Sequence, residues 1–345
     1  MGNKVECDQI ERVSTQPVFT KRENALMHFK KFWWMYLLGL VCIIVLAVPL
    51  IILVGLPNIA QSKLNSAKFG IDSITLGNMR EQSIRMAFNS TIHLSGTGGI
   101  KASIDPFTAA MYLQDVEPHT PFAYIDIPKT AAKSLATVNI TQDVKIPNME
   151  AFTVFSGWLL GKKSIAIAMK GRTAFKASGI SKHFGVSFAK TLDLQAMNGF
   201  KGLEVTSATI SMKPDARGDN LHGWVNIPNP SVITADIGNI TFTSFVGGMG
   251  AGPAYLDDFS LFPGMNNASI RANISQEVVL GAVSQKPVCE TGLLPFSLQA
   301  TNVVNHGEQL PYFLNALGAS NLTVSLDIRE IFKNDLGMEL SCGKY

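Results

Sequence analysis

Cysteine is scarce: four in 345 residues, at positions 7, 42, 289 and 342, too few for a disulfide-stapled scaffold. Charge is thin as well, at 16% of residues against 46% hydrophobic, and a net +3 supplies no basic field for nucleic acid. Disorder is excluded too, because a chain this apolar, punctuated by 29 Gly and 16 Pro, buries enough surface to fold. Enzyme signatures are missing: there is no His-Glu-x-x-His, Gly-x-Ser-x-Gly, Walker loop or Cys-x-x-Cys. His93, His119, His183, His222 and His306 stand singly, so a metal site would need tertiary convergence. Gly96-Thr-Gly-Gly99 has the glycines of a phosphate loop without the spacing and reads as a turn, and Asp257-Asp258 reads as a solvated loop. The expectation is a protein that is not an enzyme and carries no cofactor or metal.

What is present is one long hydrocarbon run. Residues 32–56 contain no charge. At about 1.5 Å per residue, these positions reach about 37 Å, enough to cross a hydrocarbon core of about 30 Å with some tilt. The run is longer, and starts later, than the apolar core of a cleaved signal peptide, so it predicts an uncleaved signal-anchor helix, with Pro49 as a kink. Lys21, Arg22, Lys30 and Lys31 crowd its N-terminal side, whereas the first charge beyond it is Lys63. That asymmetry predicts a cytosolic N-terminus and a lumenal or extracellular C-terminal domain, with Phe32, Trp33, Trp34 and Tyr36 as an interfacial belt. Residues 1–31 mix both charge signs without a core pattern and read as a disordered cytosolic tail.

Asn-x-Ser/Thr acceptors occur at Asn89, Asn139, Asn239, Asn267, Asn273 and Asn321, all beyond the run and none before it. Asn229 is excluded by Pro230. Asn139 and Asn273 alternate against apolar neighbours, which puts each on the face away from a core. Only Cys289 and Cys342 share the oxidising side, so one disulfide is available there, with two unpaired thiols as the alternative.

Beyond the anchor, apolar residues recur with period two in many short segments, such as Val138, Ile140, Val144 and Ile146, or Leu322, Val324, Leu326 and Ile328. Turn clusters separate them and long helical periods are scarce, while Met197-Asn-Gly-Phe200 and residues 311–318 hold short helical turns. This predicts an all-β class. Residues 151–160, with Phe152, Phe155, Trp158 and Leu159, are apolar on both faces and belong in a core or along an apolar groove. Arg217-Gly218-Asp219 matches an integrin-type tripeptide, although Gly at a tight turn accounts for it equally.

Order is preserved between the two halves. Residues 140–144 (Ile-Thr-Gln-Asp-Val) recur as 274–278 (Ile-Ser-Gln-Glu-Val), 89–94 parallel 229–234, and 161–172 parallel 318–329. The expected plan is a tail (1–31), a transmembrane helix (32–56), a connector (57–84) and two β-sandwiches (85–215 and 220–345), with a boundary near the turn at 215–220.

The stretch from His222 to Phe242 combines an apolar strand, Asn229-Pro230-Ser231, and an alternating strand around Gly238-Asn239. In this it resembles the fungal membrane-anchored family DUF3712, whose sandwiches look like the LEA-2 domain; the likeness covers roughly residues 60–335. The resemblance implies tandem LEA-2/immunoglobulin-like sandwiches on a single-pass protein of the vacuolar or plasma membrane, and it supplies no catalytic residue. The function expected is binding or scaffolding by a glycosylated ectodomain. A lipid-handling module is the alternative, and the partners are the bilayer and a lipid or protein ligand.

Overall fold

The computed structural model describes residues 21–93, 102–131, 133–319, 322–337, 339 and 341–342. Gly96 to Gly99, Cys7 and Asn321 lie outside them. Contacts divide the chain into two units after Asn58.

The N-terminal unit is helical: α1 (Lys21–Leu50), then a π-helical turn at Ile51–Gly55 and the start of α2 (Leu56–Ser66). The described residues are helical from Lys21 onward, inside the stretch expected to be a disordered tail to residue 31. Residues 21–31 include Ala, Leu, Met, Glu, Lys and Arg and no Gly or Pro, so nothing stops the helix from extending that way. The expected distortion at Pro49 is present as the wider π turn, in which Leu56 N–H donates to Ile51 O. Pro49 and Pro57 flank it, and neither can donate to the carbonyl one turn back. Among the described residues one helical stretch, Lys30–Ser66, is long and apolar enough to cross a membrane.

The second unit is predominantly β. Its strands are β1 (Lys68–Gly77), β2 (Ser83–His93), β3 (Ala102–Ile104), β4 (Phe107–Leu113), β5 (Ala123–Ile127), β6 (Thr130–Ala131) and β7 (Leu135–Lys145). Helix α3 (Met149–Gly161) leads to β8 (Ser164–Ala177), β9 (Phe184–Gln195) and β10 (Glu204–Ile210). There follow β11 (Leu221–Asn229), β12 (Ile233–Val246), β13 (Met249–Leu261), β14 (Gly264–Ala272), α4 (Gln276–Val283) and α5 (Val288–Thr291). The chain continues through β15 (Leu293–Asn305), β16 (Glu308–Gln309), α6 (Pro311–Gly318), β17 (Leu322–Asp327) and α7 (Ile328–Leu336). One sheet runs β10-β11-β14-β13-β12-β1-β2-β7, with β15 also on β12 and with β16 and β17 on β15; the other runs β5-β4-β8-β3-β6, with β9 on β8.

Strand β12 ties the halves together. β13 occupies one of its edges, and β1 (parallel, Ile74 opposite Ile233) and β15 (antiparallel) share the other. Gly238 sits where the partner changes. Its φ is +87°, and a Cβ there would lie 2.5 Å from Val304 O, so only glycine fits this approach. The connector expected at 57–84 therefore contains a sheet strand, β1, whose Ile74 and Leu76 are buried.

Two apolar interiors result. Phe69 of β1 and Phe188 of β9 meet edge to face at 5.5 Å, so the two sheets pack across a hydrocarbon layer with a residual gap of about 70 Å³. Val225, Ile227, Phe242, Leu256 and Val324 line the second interior, between arms of the large sheet, where the gap is about 50 Å³. The turn at 215–220 does not part them, because β10 and β11 on either side of it pair antiparallel, so the second set of strands starts at Glu204 instead of residue 220. Between the halves, Phe152 of α3 meets Tyr312 of α6 at 4.8 Å and 89°, and Phe155 stacks on Phe122 at 4.2 Å. Phe152, Phe155 and Leu159 are thus buried in the core. Burial also holds the Tyr312 phenol above its ordinary pKa, while its O–H donates to Arg80 O.

The repeat survives in part. Residues 161–172 and 318–329 each cover a helix end and the following strand, α3–β8 and α6–β17. Residues 140–144 lie in β7, however, whereas 274–278 leave β14 and enter α4, where Ser275 is the N-cap.

Helix α2 protects the edge of β9. The Gln61 amide donates to Ser187 O and accepts from Ser187 N, both at 2.8 Å, as a neighbouring strand would. Lys190 Nζ donates to Asn65 O and Ala67 O at the helix C-terminus, where a cation is favoured, and burial lowers its pKa.

Candidate binding cleft and modification sites

The outward residues of β11 and β14 form the floor of an open cleft of about 600 Å³. In β11, Leu221, Val225 and Ile227 turn inward, leaving His222, Trp224 and Asn226 facing out. Cross-strand pairing sets His222 opposite Arg271, Trp224 opposite Ser269 and Asn226 opposite Asn267. A register shift in β10 between Val205 and Ser207 brings Ser207 O to 2.6 Å from where a Cβ on Gly223 would stand, which explains the glycine beside Trp224. The wall is the loop at 211–220, wound on Asp215 Oδ1, which accepts from Arg217 N and Asp219 N.

Electrostatics in the cleft centre on Arg271. It is bidentate to Asp257, at 2.7 and 3.1 Å, and donates from its remaining terminal nitrogen to Asp219 at 2.7 Å. Its guanidinium also lies 4.1 Å from the centre of the Tyr255 ring. The hydrogen bond from Arg271 holds the Asp257 carboxyl below its ordinary range, and the Asp219 backbone N–H does the same for Asp215. Asp219 is 2% exposed as a side chain, so the tripeptide 217–219 presents Arg217 (70% exposed) but buries its acid. The integrin-type reading therefore fails: the acid that would have to be offered is held by Arg271. Asp257 is occupied by the same arginine, and Asp258 has φ +47° and donates its N–H to Asn239 Oδ1.

The Asn229-Pro-Ser stretch is a turn lock. Asn229, 1% exposed, donates from Nδ2 to Ile233 O at 2.8 Å and accepts from Ser231 N at 2.9 Å and from Ser231 Oγ, which in turn accepts from Ile233 N. Asn229→Ala leaves buried backbone groups unpaired and is expected to cost about 2–3 kcal/mol, read as a lower urea midpoint of the detergent-solubilised chain. A loss under about 0.5 kcal/mol would show that the turn repairs itself through water.

Of the acceptor asparagines, Asn89, Asn139, Asn239, Asn267 and Asn273 are all exposed. Asn89 and Asn139 face each other across β2 and β7. Cys289 and Cys342 are joined in a disulfide across 53 residues, and Cys42 is free. His183 lies against Asp105, His222 against Asp215 and His119 against Glu117, and no group of three metal-ligating side chains occurs among the described residues. Trp224 and Arg271 were not singled out from sequence, although the inward phase of Leu221, Val225 and Ile227 already turns Trp224 outward.

No curated protein matches the chain. Among solved structures it is similar, at 10% identity and a TM-score of 0.19, to a bacterial adhesin from Mobiluncus mulieris with intramolecular disulfide, isopeptide and ester cross-links, over 73% of this chain and 83% of that one. It is also similar to the CupB6 tip adhesin from Pseudomonas aeruginosa (9% identity, 75% and 97% covered, TM-score 0.19). A partial N-terminal region of an enterococcal surface protein gives 7% identity, 75% and 92% covered, and a TM-score of 0.16. Likenesses this distant carry no argument about function. Residues 120–244, which contain α3 and the Asn229-Pro-Ser and Gly238-Asn239 motifs, match the model of the family described as "Protein of unknown function (DUF3712)", and that match supports the family resemblance.

Proposed function

We propose that this chain is a single-pass type II membrane protein of fungal DUF3712 type. It holds a glycosylated ectodomain of tandem LEA-2-like sandwiches on the lumenal or outer side of a vacuolar or plasma membrane. It works by binding or scaffolding, without catalysis. The observation that carries this reading is the exposure of all five described acceptor asparagines on the β unit, beyond an apolar helix whose basic flank is N-terminal. In sealed vesicles oriented cytoplasm-outward, added protease is expected to trim only the N-terminal tail, and glycosidase is expected to increase the gel mobility of the solubilised chain. Digestion of the β unit in intact vesicles would overturn the orientation.

The second reading, a lipid-handling module, is favoured by the hydrocarbon lining between the sheets, with Phe69, Phe107 and Phe188 at its centre. Gaps of about 70 and 50 Å³ are far below the roughly 300 Å³ at which ligand pockets begin, so an acyl chain requires the sheets to part. Stoichiometric lipid in a native extract would support this reading, and its absence would remove it.

A further inference from the structure

We propose that the first sugar of an N-glycan on Asn267 lies over the indole of Trp224 and fills the mouth of the cleft. The proposal rests on the lumenal placement of the β unit. The glycan is attached when the Asn267 Nδ2–C1 bond forms, the C1–O bond to a lipid-pyrophosphate donor breaks and the amide releases one proton.

Register places the two partners together. Asn226 opposes Asn267 and Trp224 opposes Ser269, so Trp224 and Asn267 are diagonal neighbours on one solvent face, about 7 Å apart at the backbone. That distance is within reach of a pyranose ring. Ser269, directly opposite Trp224, is also the hydroxyl residue of the Asn267-Ala268-Ser269 acceptor. The asparagine is already turned the right way: its Nδ2 donates to Asn226 Oδ1 at 3.0 Å, toward the strand that carries Trp224. A glycosylated amide keeps one N–H, so that bond persists while the other position carries the sugar.

Trp224 has the surface to receive it. It is 49% exposed in the middle of a strand, where an uncovered indole is costly, and a pyranose offers a C–H face of similar width. Ser207, Thr209 and Ser269 line the same cleft and present hydroxyls to the sugar edge. Three further acceptors are placed differently: Asn89 and Asn139 oppose each other, and Asn239 lies against Val304 and the Asp258 backbone. The glycan thus acts as a ligand built into the chain, covering the exposed indole of Trp224.

The test uses the 345-residue chain from a glycosylating host, solubilised in detergent, with occupancy read by mass spectrometry. Asn267 is expected to be occupied, and Asn267→Gln is expected to lower the thermal midpoint by about 2 °C. The same substitution in a Trp224→Ala background is expected to lower it no further. Ser269→Ala, which removes the acceptor without touching Asn267, should behave as Asn267→Gln does. Acrylamide quenching of tryptophan emission is expected to rise when the whole glycan is removed, and to stay at the native level when a trimming glycosidase leaves one sugar. Additive midpoint losses, quenching unaffected by complete removal, or a bare Asn267 beside other occupied acceptors would overturn the stacking alone. If no acceptor is occupied, the lumenal placement fails with it.

Discussion

Arg271→Met is expected to destabilise the β unit by about 3–5 kcal/mol, because it leaves the Asp219 carboxylate, 2% exposed, without its partner. The cost comes from the stranded charge more than from the lost attraction, so adding Asp219→Asn should recover part of it. Urea midpoints of the single and double variants measure this; a single variant within 1 kcal/mol of the native chain would show that Asp219 finds other donors. A pH dependence follows. Asp257 and Asp215 are held below their ordinary values, so their contribution is present above the unfolded-state value of about 3.9 and is lost as pH falls through the lower folded-state values. Midpoints of the native chain should therefore fall on acidification below about pH 4. The fall should be shallower in Arg271→Met, which removes the largest cause of the Asp257 shift.

Opening the Cys289–Cys342 bond is expected to cost about 4 kcal/mol, from the entropy returned to an unfolded chain that loses a 53-residue closure. Cys289→Ala, Cys342→Ala and the double variant should lose nearly the same amount, because each removes one shared bond. Midpoints with and without a thiol reductant provide the measurement. A native midpoint indifferent to reductant would mean that the tail after α7 is held by packing, with the bond contributing nothing. Since Cys289 is buried within α5 and Cys342 follows α7, reduction should loosen those two elements first.

Much of this was readable because it depends on local periodicity. The uncharged run gives the helix, inward alternation gives β7, β12 and β17, and the residue types of Asn229-Pro-Ser give a turn, since each follows from neighbours in sequence. The first strand escaped: Phe69, Ile71, Ile74 and Leu76 are interrupted by Gly70 and Asp72 and shift from period two to period three between Ile71 and Ile74, where the ladder itself slips register. Residues 151–160 were ambiguous for another reason. A segment apolar on every face has no period to read, and only the aromatic contacts of Phe152 and Phe155 with Tyr312 and Phe122 decide that it is a core helix.

By itself the sequence determined the apolar helix, the predominance of strands, the positions of the acceptor asparagines and the two cysteines free to pair, because each is a property of residue type and nearest-neighbour spacing. Only the tertiary structure decided that β1 joins β12, that the turn at 215–220 lies between paired strands, that Arg271 buries the acid of a tripeptide that looks exposed, and that Asn267 stands beside Trp224. Those are meetings of residues separated by tens to hundreds of positions, fixed by which strand edges pair and by where a bulge or a glycine shifts the register, and no local pattern encodes them.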